Sequence, residues 1–148
     1  MTKKAISAGV IITDGEQLLL GHITNHKNWD IPKGHVDAQE HTLAAAQREL
    51  HEETGLTVGA SELYLLGLYD YKPKKDLQLY VWPRLIMPDP TTCVCRSKFN
   101  GPKGWQSELD GFRLVGWREL DAYCNPDLVR VLRICETQVK LIVKNHAR

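Results

Sequence analysis

The sequence is short of long apolar runs and of charge imbalance. No stretch approaches the roughly 20 consecutive apolar residues of a membrane-crossing helix, so no membrane partner is expected. Met1-Thr2-Lys3-Lys4 runs directly into a strand-like segment containing Gly9, without the apolar core and small-residue cleavage site of a secretory leader. Nineteen Lys and Arg against eighteen Asp and Glu leave a formal charge of +1. That balance argues against a polycationic nucleic-acid coat or a polybasic membrane anchor. The four cysteines, Cys93, Cys95, Cys124 and Cys135, then read as the reduced thiols of a cytoplasmic protein. Cys93-Val94-Cys95 lacks the further ligands a zinc site needs. There is no internal repeat and no low-complexity segment.

What is present is an ordinary globular composition, 43% apolar and 25% charged over 148 residues. Residues 1–148 fit a single domain, long enough to bury roughly 68–70% of the unfolded surface. Ala5 to Ile12 reads as a strand, Thr13-Asp14-Gly15-Glu16 as a turn and Leu18-Leu19-Leu20 as its partner strand. Residues 21–41 read as a long loop, a feature that is usually functional inside a compact domain. A helix is predicted over Thr42–Thr54, with Leu43, Ala46 and Leu50 on its apolar stripe and Gly55 at C′. Strands are expected at Leu63–Tyr71 and Leu77–Met87, the second placed at an edge or bulge by Pro83. Residues 88–110 read as a second long loop and Phe112–Trp117 as a last strand. Asn125-Pro126-Asp127 starts a final helix, with Cys135 on its apolar face. The order of strands and helices predicts an α/β fold with a mixed sheet between helices.

The chemistry concentrates at 34–56. Glu49, Glu52 and Glu53 stand at i, i+3 and i+4, so the three carboxylates share one helix face. Like charges at that spacing cost about 0.2–0.5 kcal/mol per pair. A solvated acidic face is one explanation of the cluster. A hard divalent cation is the other, since Mg²⁺ takes carboxylate oxygens together with waters and substrate phosphates. Arg48 is positioned to hold neighbouring carboxylates by charge-assisted bonds. The stretch 30–53 carries six acids and two bases, a local charge of −4 against +5 for the remainder. A basic remainder helps to draw in a polyphosphate.

Gly34, Glu40, Arg48, Glu49, Leu50, Glu52, Glu53, Gly55 and Leu56 fill every fixed position of G-x5-E-x7-R-E-U-x-E-E-x-G-U, with U aliphatic. The sequence thereby resembles the Nudix hydrolases. The resemblance implies the Nudix fold, a mixed β-sheet sandwiched between α-helices (α/β/α). It implies hydrolysis of a nucleoside diphosphate linked to another group, with Mg²⁺, or Mn²⁺ in its place, as cofactor. It makes Glu49, Glu52 and Glu53 the metal-binding carboxylates, with a backbone carbonyl from Gly34. Arg48 and Glu40 become an organising ion pair. The general base is expected to be Glu52 or, outside the motif, Glu108.

Trp29-Asp30-Ile31-Pro32-Lys33-Gly34-His35-Val36 is similar to the approach to the motif in dinucleoside tetraphosphatases. Lys33 is a candidate phosphate ligand, Trp29 is a candidate substrate-binding residue by the same resemblance, and Tyr80 and Trp82 are candidates for stacking on a base. Lys72, Lys74 and Lys75 form a basic hairpin, and Arg96, Lys98 and Lys103 make the second loop basic. The expected substrate is a small-molecule nucleotide, either a nucleoside triphosphate or a dinucleoside polyphosphate. Glu108-Leu109-Asp110-Gly111-Phe112-Arg113 is similar instead to bacterial RNA 5′-pyrophosphohydrolases, which keeps an RNA end as the alternative. A non-catalytic nucleotide-sensing module is a third reading. A monomer or a homodimer is expected.

Overall fold

The computed structural model describes residues 4–147. Met1, Thr2 and Lys3, on which the absence of a leader was read, lie outside them. Seven strands form one mixed sheet: β1 (Ala5–Thr13), β2 (Gln17–Ile23), β3 (Trp29–Asp30), β4 (Lys33–His35), β5 (Tyr64–Lys72), β6 (Lys75–Pro83) and β9 (Leu109–Gly116). A separate hairpin is made by β7 (Lys98–Gly101) and β8 (Gly104–Ser107). The helices are α1 (Thr42–Thr54), the short α2 (Leu120–Tyr123) and α3 (Pro126–His146). Among the described residues no helix is long and apolar enough to cross a membrane.

The sheet is mixed because β1 runs parallel to β6, from Ala5↔Lys75 to Thr13↔Pro83, and antiparallel to β2 and β4. Strand alternation then builds two cores. Ala8, Val10 and Ile12 point toward Ala45, Ala46 and Leu50 of α1. Ile11, Leu18, Leu20, Leu77, Leu79 and Val81 point toward Leu128, Val131, Leu132, Cys135 and Val139 of α3. This is the α/β/α sandwich that the sequence pattern predicts.

α3 begins as its sequence dictates: the N-cap is Asn125, whose side chain accepts from the Leu128 N–H at 3.0 Å, with Pro126 at N1. α1 ends at Gly55, left-handed at φ 79°, whose N–H donates to the His51 carbonyl at 2.8 Å. Three expectations change. β6 lies between β1 and β5 rather than at an edge; Pro83 is tolerated because it is the last residue of the strand. The loop over 21–41 is interrupted by β3 and β4, and the loop over 88–110 carries the β7–β8 hairpin and the start of β9.

Candidate active site

α1 is seated by Ala45, Ala46 and Leu50 and turns its glutamates toward β4. Of the two explanations of the cluster, the solvated acidic face does not describe Glu49 and Glu53. Glu49 and Glu53 are only 9% and 7% exposed, while Glu52 is partly open. β4 can lie this close because it carries Gly34: a Cβ there would overlap the Glu49 carboxylate.

Arg48 ties the loop before α1 to the glutamates. Its Nε and Nη2 donate to the two carboxylate oxygens of Glu40 at 2.9 and 3.0 Å, and Nη2 also donates to the His35 carbonyl at 3.0 Å. Nη1 donates to Glu49 at 2.8 Å and Glu52 at 3.4 Å. The Arg48 hydrogen bonds hold the Glu40 carboxyl down to about 2. This bidentate pairing is one that a guanidinium makes and an ammonium does not.

Glu53 has less compensation. Among the described residues it accepts one hydrogen bond, from the Lys33 N–H at 2.9 Å, and burial pushes its carboxyl up to about 9. Burial also raises Glu49, with Arg48 opposing the rise. Lys33 Nζ pairs with Asp30 at 3.1 Å and lies 5.6 Å from the centre of the Tyr71 ring. Burial acts on Lys33 to strip its proton, but Asp30 and then Tyr71 outweigh it, so the lysine stays charged. Two buried carboxylates beside a glycine cradle, one of them bonded by no cationic side chain among the described residues, suit a hard divalent cation with oxygen ligands.

Glu53, Lys33 and Asp30 open onto a cleft of about 570 Å³ that is also lined by Glu108, Asn25 and Phe99. Glu108 stands at the foot of the β7–β8 hairpin, where its N–H donates to the Ser97 carbonyl at 2.9 Å. The structure thus brings together Gly34, Arg48, the three helix glutamates, Lys33 and Glu108. It keeps the aromatic candidates apart from them. Tyr80 and Trp82, 5% and 6% exposed, pack beneath α1, and the Tyr80 hydroxyl bonds Thr42 Oγ1 at 2.7 Å. Their strand face is covered by the helix, which closes it to a base. Trp29 packs edge-on against His22 and Tyr123, at centroid distances of 5.1 and 6.1 Å, and is not part of the cleft wall. Sequence reasoning missed Asp30, whose i,i+3 spacing to Lys33 was a usable signal, and Phe99, which carried none.

A loop, a glycine and a glutamate-bearing helix set against a mixed sheet between helices mark a hydrolase. The chain matches the NUDIX domain over residues 3–130 and belongs to the Nudix hydrolase family. It is 33% identical over 141 residues to an uncharacterized 17.7 kDa protein of Enterobacteria phage T4, covering 87% of this chain and 93% of that protein. It is 33% identical over 81 residues to the RNA pyrophosphohydrolase of Pelagibacter ubique, covering 54% of this chain and 51% of that protein. The MutT protein of Methanosarcina mazei superposes with a TM-score of 0.70 at 17% identity, over 93% of this chain and 97% of that one.

Proposed function

We propose that the protein is a Mg²⁺-dependent pyrophosphohydrolase that cleaves a phosphoanhydride bond of a nucleotide carrying a 5′ polyphosphate. The observation that carries this reading is the pair of buried carboxylates: Glu49 packed against Gly34, and Glu53 bonded by the Lys33 N–H at the wall of a cleft. Glu49, Glu52, Glu53 and the Gly34 carbonyl would hold the divalent cation, with Mn²⁺ able to replace Mg²⁺. When bound, the cation neutralises the diphosphate and acidifies the attacking water. Arg48 keeps Glu49 and Glu52 in place, and Lys33 adds a buried positive charge to the cleft. Glu108 lines that cleft and, among the described residues, no hydrogen bond or ion pair engages its carboxylate. It is the better-placed proton acceptor, whereas Glu52 is engaged by Arg48. Water attacks phosphorus, the new P–O bond forms, and its proton passes to the carboxylate. The bridging P–O bond breaks, and its electron pair leaves with the departing phosphate group.

A panel of nucleoside triphosphates, dinucleoside polyphosphates and 5′-triphosphorylated RNA, incubated with Mg²⁺, tests the reading by product identification. Turnover of at least one class is expected, lowered by orders of magnitude in Glu53→Gln. No product from any class would sink it. An RNA end gains support from the name of the Pelagibacter ubique relative and from a basic, acid-free segment beside the cleft.

A further inference from the structure

Residues 90–107 contain no Asp or Glu, three cations (Arg96, Lys98 and Lys103) and two aromatics (Phe99 and Trp105). Most of this segment is the β7–β8 hairpin, which stands apart from the main sheet. Its foot is fixed to the candidate site. The Arg96 and Ser97 N–H groups donate to the Glu52 carbonyl at 2.6 and 3.1 Å, and the Ser97 carbonyl accepts from the Glu108 N–H. Its flank is tied to the β2–β3 turn by Asn25 Nδ2, which donates to Gln106 Oε1 at 3.0 Å.

Cross-strand pairing sorts the hairpin's side chains onto two faces. Phe99 is opposite Gln106, and both belong to the inner face, where Phe99 lines the cleft. Lys98 is opposite Ser107 and Asn100 is opposite Trp105, which puts these four on the other face. Trp105 is 74% exposed there. A tryptophan left in water on a strand, flanked by lysines and free of acids, has the makings of a base-stacking platform rather than of a core element. Proteins that hold single strands combine such aromatics with a cationic track for the backbone. Pro102 at the turn lines the cleft, so a chain leaving the cleft passes the hairpin tip to reach Trp105.

We propose that the outer face of the β7–β8 hairpin is a stacking platform, centred on Trp105 with Lys98 and Lys103 as phosphate contacts, for a nucleotide downstream of the 5′ end of a single-stranded RNA. This rests on the hydrolase reading of the cleft and narrows its substrate to a chain end. A free nucleotide ends inside the cleft and gains nothing from Trp105, whereas an RNA gains one stacked base.

The test compares a 5′-triphosphorylated six-nucleotide RNA with free ATP. Base stacking of this kind predicts that Trp105→Ala lowers kcat/KM for the RNA by about tenfold, with ATP changed less than about twofold, and that Trp105→Phe restores most of the loss. Equal effects on both substrates, or none on the RNA, would overturn the proposal. A 5′-monophosphorylated six-nucleotide RNA should quench the emission that distinguishes the native protein from Trp105→Phe, and the quenching should weaken with salt. Absence of quenching also overturns it. Quenching without turnover of either substrate leaves the platform standing and removes the hydrolase reading. Turnover of ATP sensitive to Glu53→Gln, with RNA cleavage indifferent to Trp105→Ala, removes the platform alone.

Discussion

Gly34 and Glu49 are packed so closely that a Cβ on Gly34 would overlap the carboxylate carbon and both carboxylate oxygens of Glu49. The requirement is one of space and not of backbone conformation, since Gly34 is absent from the positive-φ residues. Gly34→Ala must therefore push Glu49 off Arg48 or push β4 off β1. Overpacking of this kind costs about 1–3 kcal/mol. Thermal melting should show that loss, together with a fall of at least about tenfold in Mg²⁺-dependent turnover, the size expected when positioning is lost by an ångström or so. An alanine variant with native melting and native rate would show that Glu49 does not need its present position.

Arg48 meets Glu40, Glu49, Glu52 and the His35 carbonyl through three nitrogens. Lysine keeps the charge but has no planar fork. Arg48→Lys should lose about 2 kcal/mol in urea unfolding, the scale of one or two charge-assisted hydrogen bonds. Arg48→Ala should lose more, because it leaves Glu49 buried without its cation. A lysine variant as stable as the parent would reduce the network to simple charge balance.

Lys33 was expected to hold phosphate, and the structure gives its ammonium a partner inside the chain. Side-chain exposures of 18% for Lys33 and 12% for Asp30 make this a buried ion pair. Breaking one partner of such a pair costs about 3–5 kcal/mol, because the other charge is stranded. Asp30→Asn should therefore be severely destabilising by chemical denaturation. Asp30→Asn combined with Lys33→Met should be less destabilising than the sum of the two single changes. Strict additivity would mean that the two side chains act independently and that Lys33 is free for a ligand.

Local signals in the sequence were sufficient for α1 and α3. Their caps, apolar periods and the Gly55 terminator act within one or two turns, and the structure repeats them. The motif from Gly34 to Leu56 was legible for the same reason, since its spacing is fixed by one helix and the loop before it. The burial of Glu49 and Glu53 was not legible, because it depends on how closely β4 approaches α1. Tyr80 and Trp82 misled because alternation shows that two residues share a face but not which helix covers it. The β7–β8 hairpin was lost in a segment rich in Pro, Gly and Lys, where Gly101-Pro102-Lys103-Gly104 is a turn joining two four-residue strands too short to show a period.

Cys124 and Cys135 supply a pH prediction that does not involve the helix glutamates. Both are buried, at 6% and 3% exposure, and burial pushes each thiol up to about 12. The unfolded chain releases these protons near 9, the ordinary value for a thiol. Between about pH 9 and 12 the folded state therefore binds more protons than the unfolded state, and stability falls as pH rises. Below 9 both states keep the protons and the thiols contribute no slope. Each thiol can contribute up to about 1.4 kcal/mol per pH unit within the window. Lysine and tyrosine titrate there too, so the informative quantity is the difference between the parent and Cys135→Ala. The variant carries a cavity cost at every pH, but its urea-unfolding free energy should decline less steeply above pH 9. Parallel declines in the two proteins would mean that Cys135 ionises in the folded state as readily as in the unfolded one.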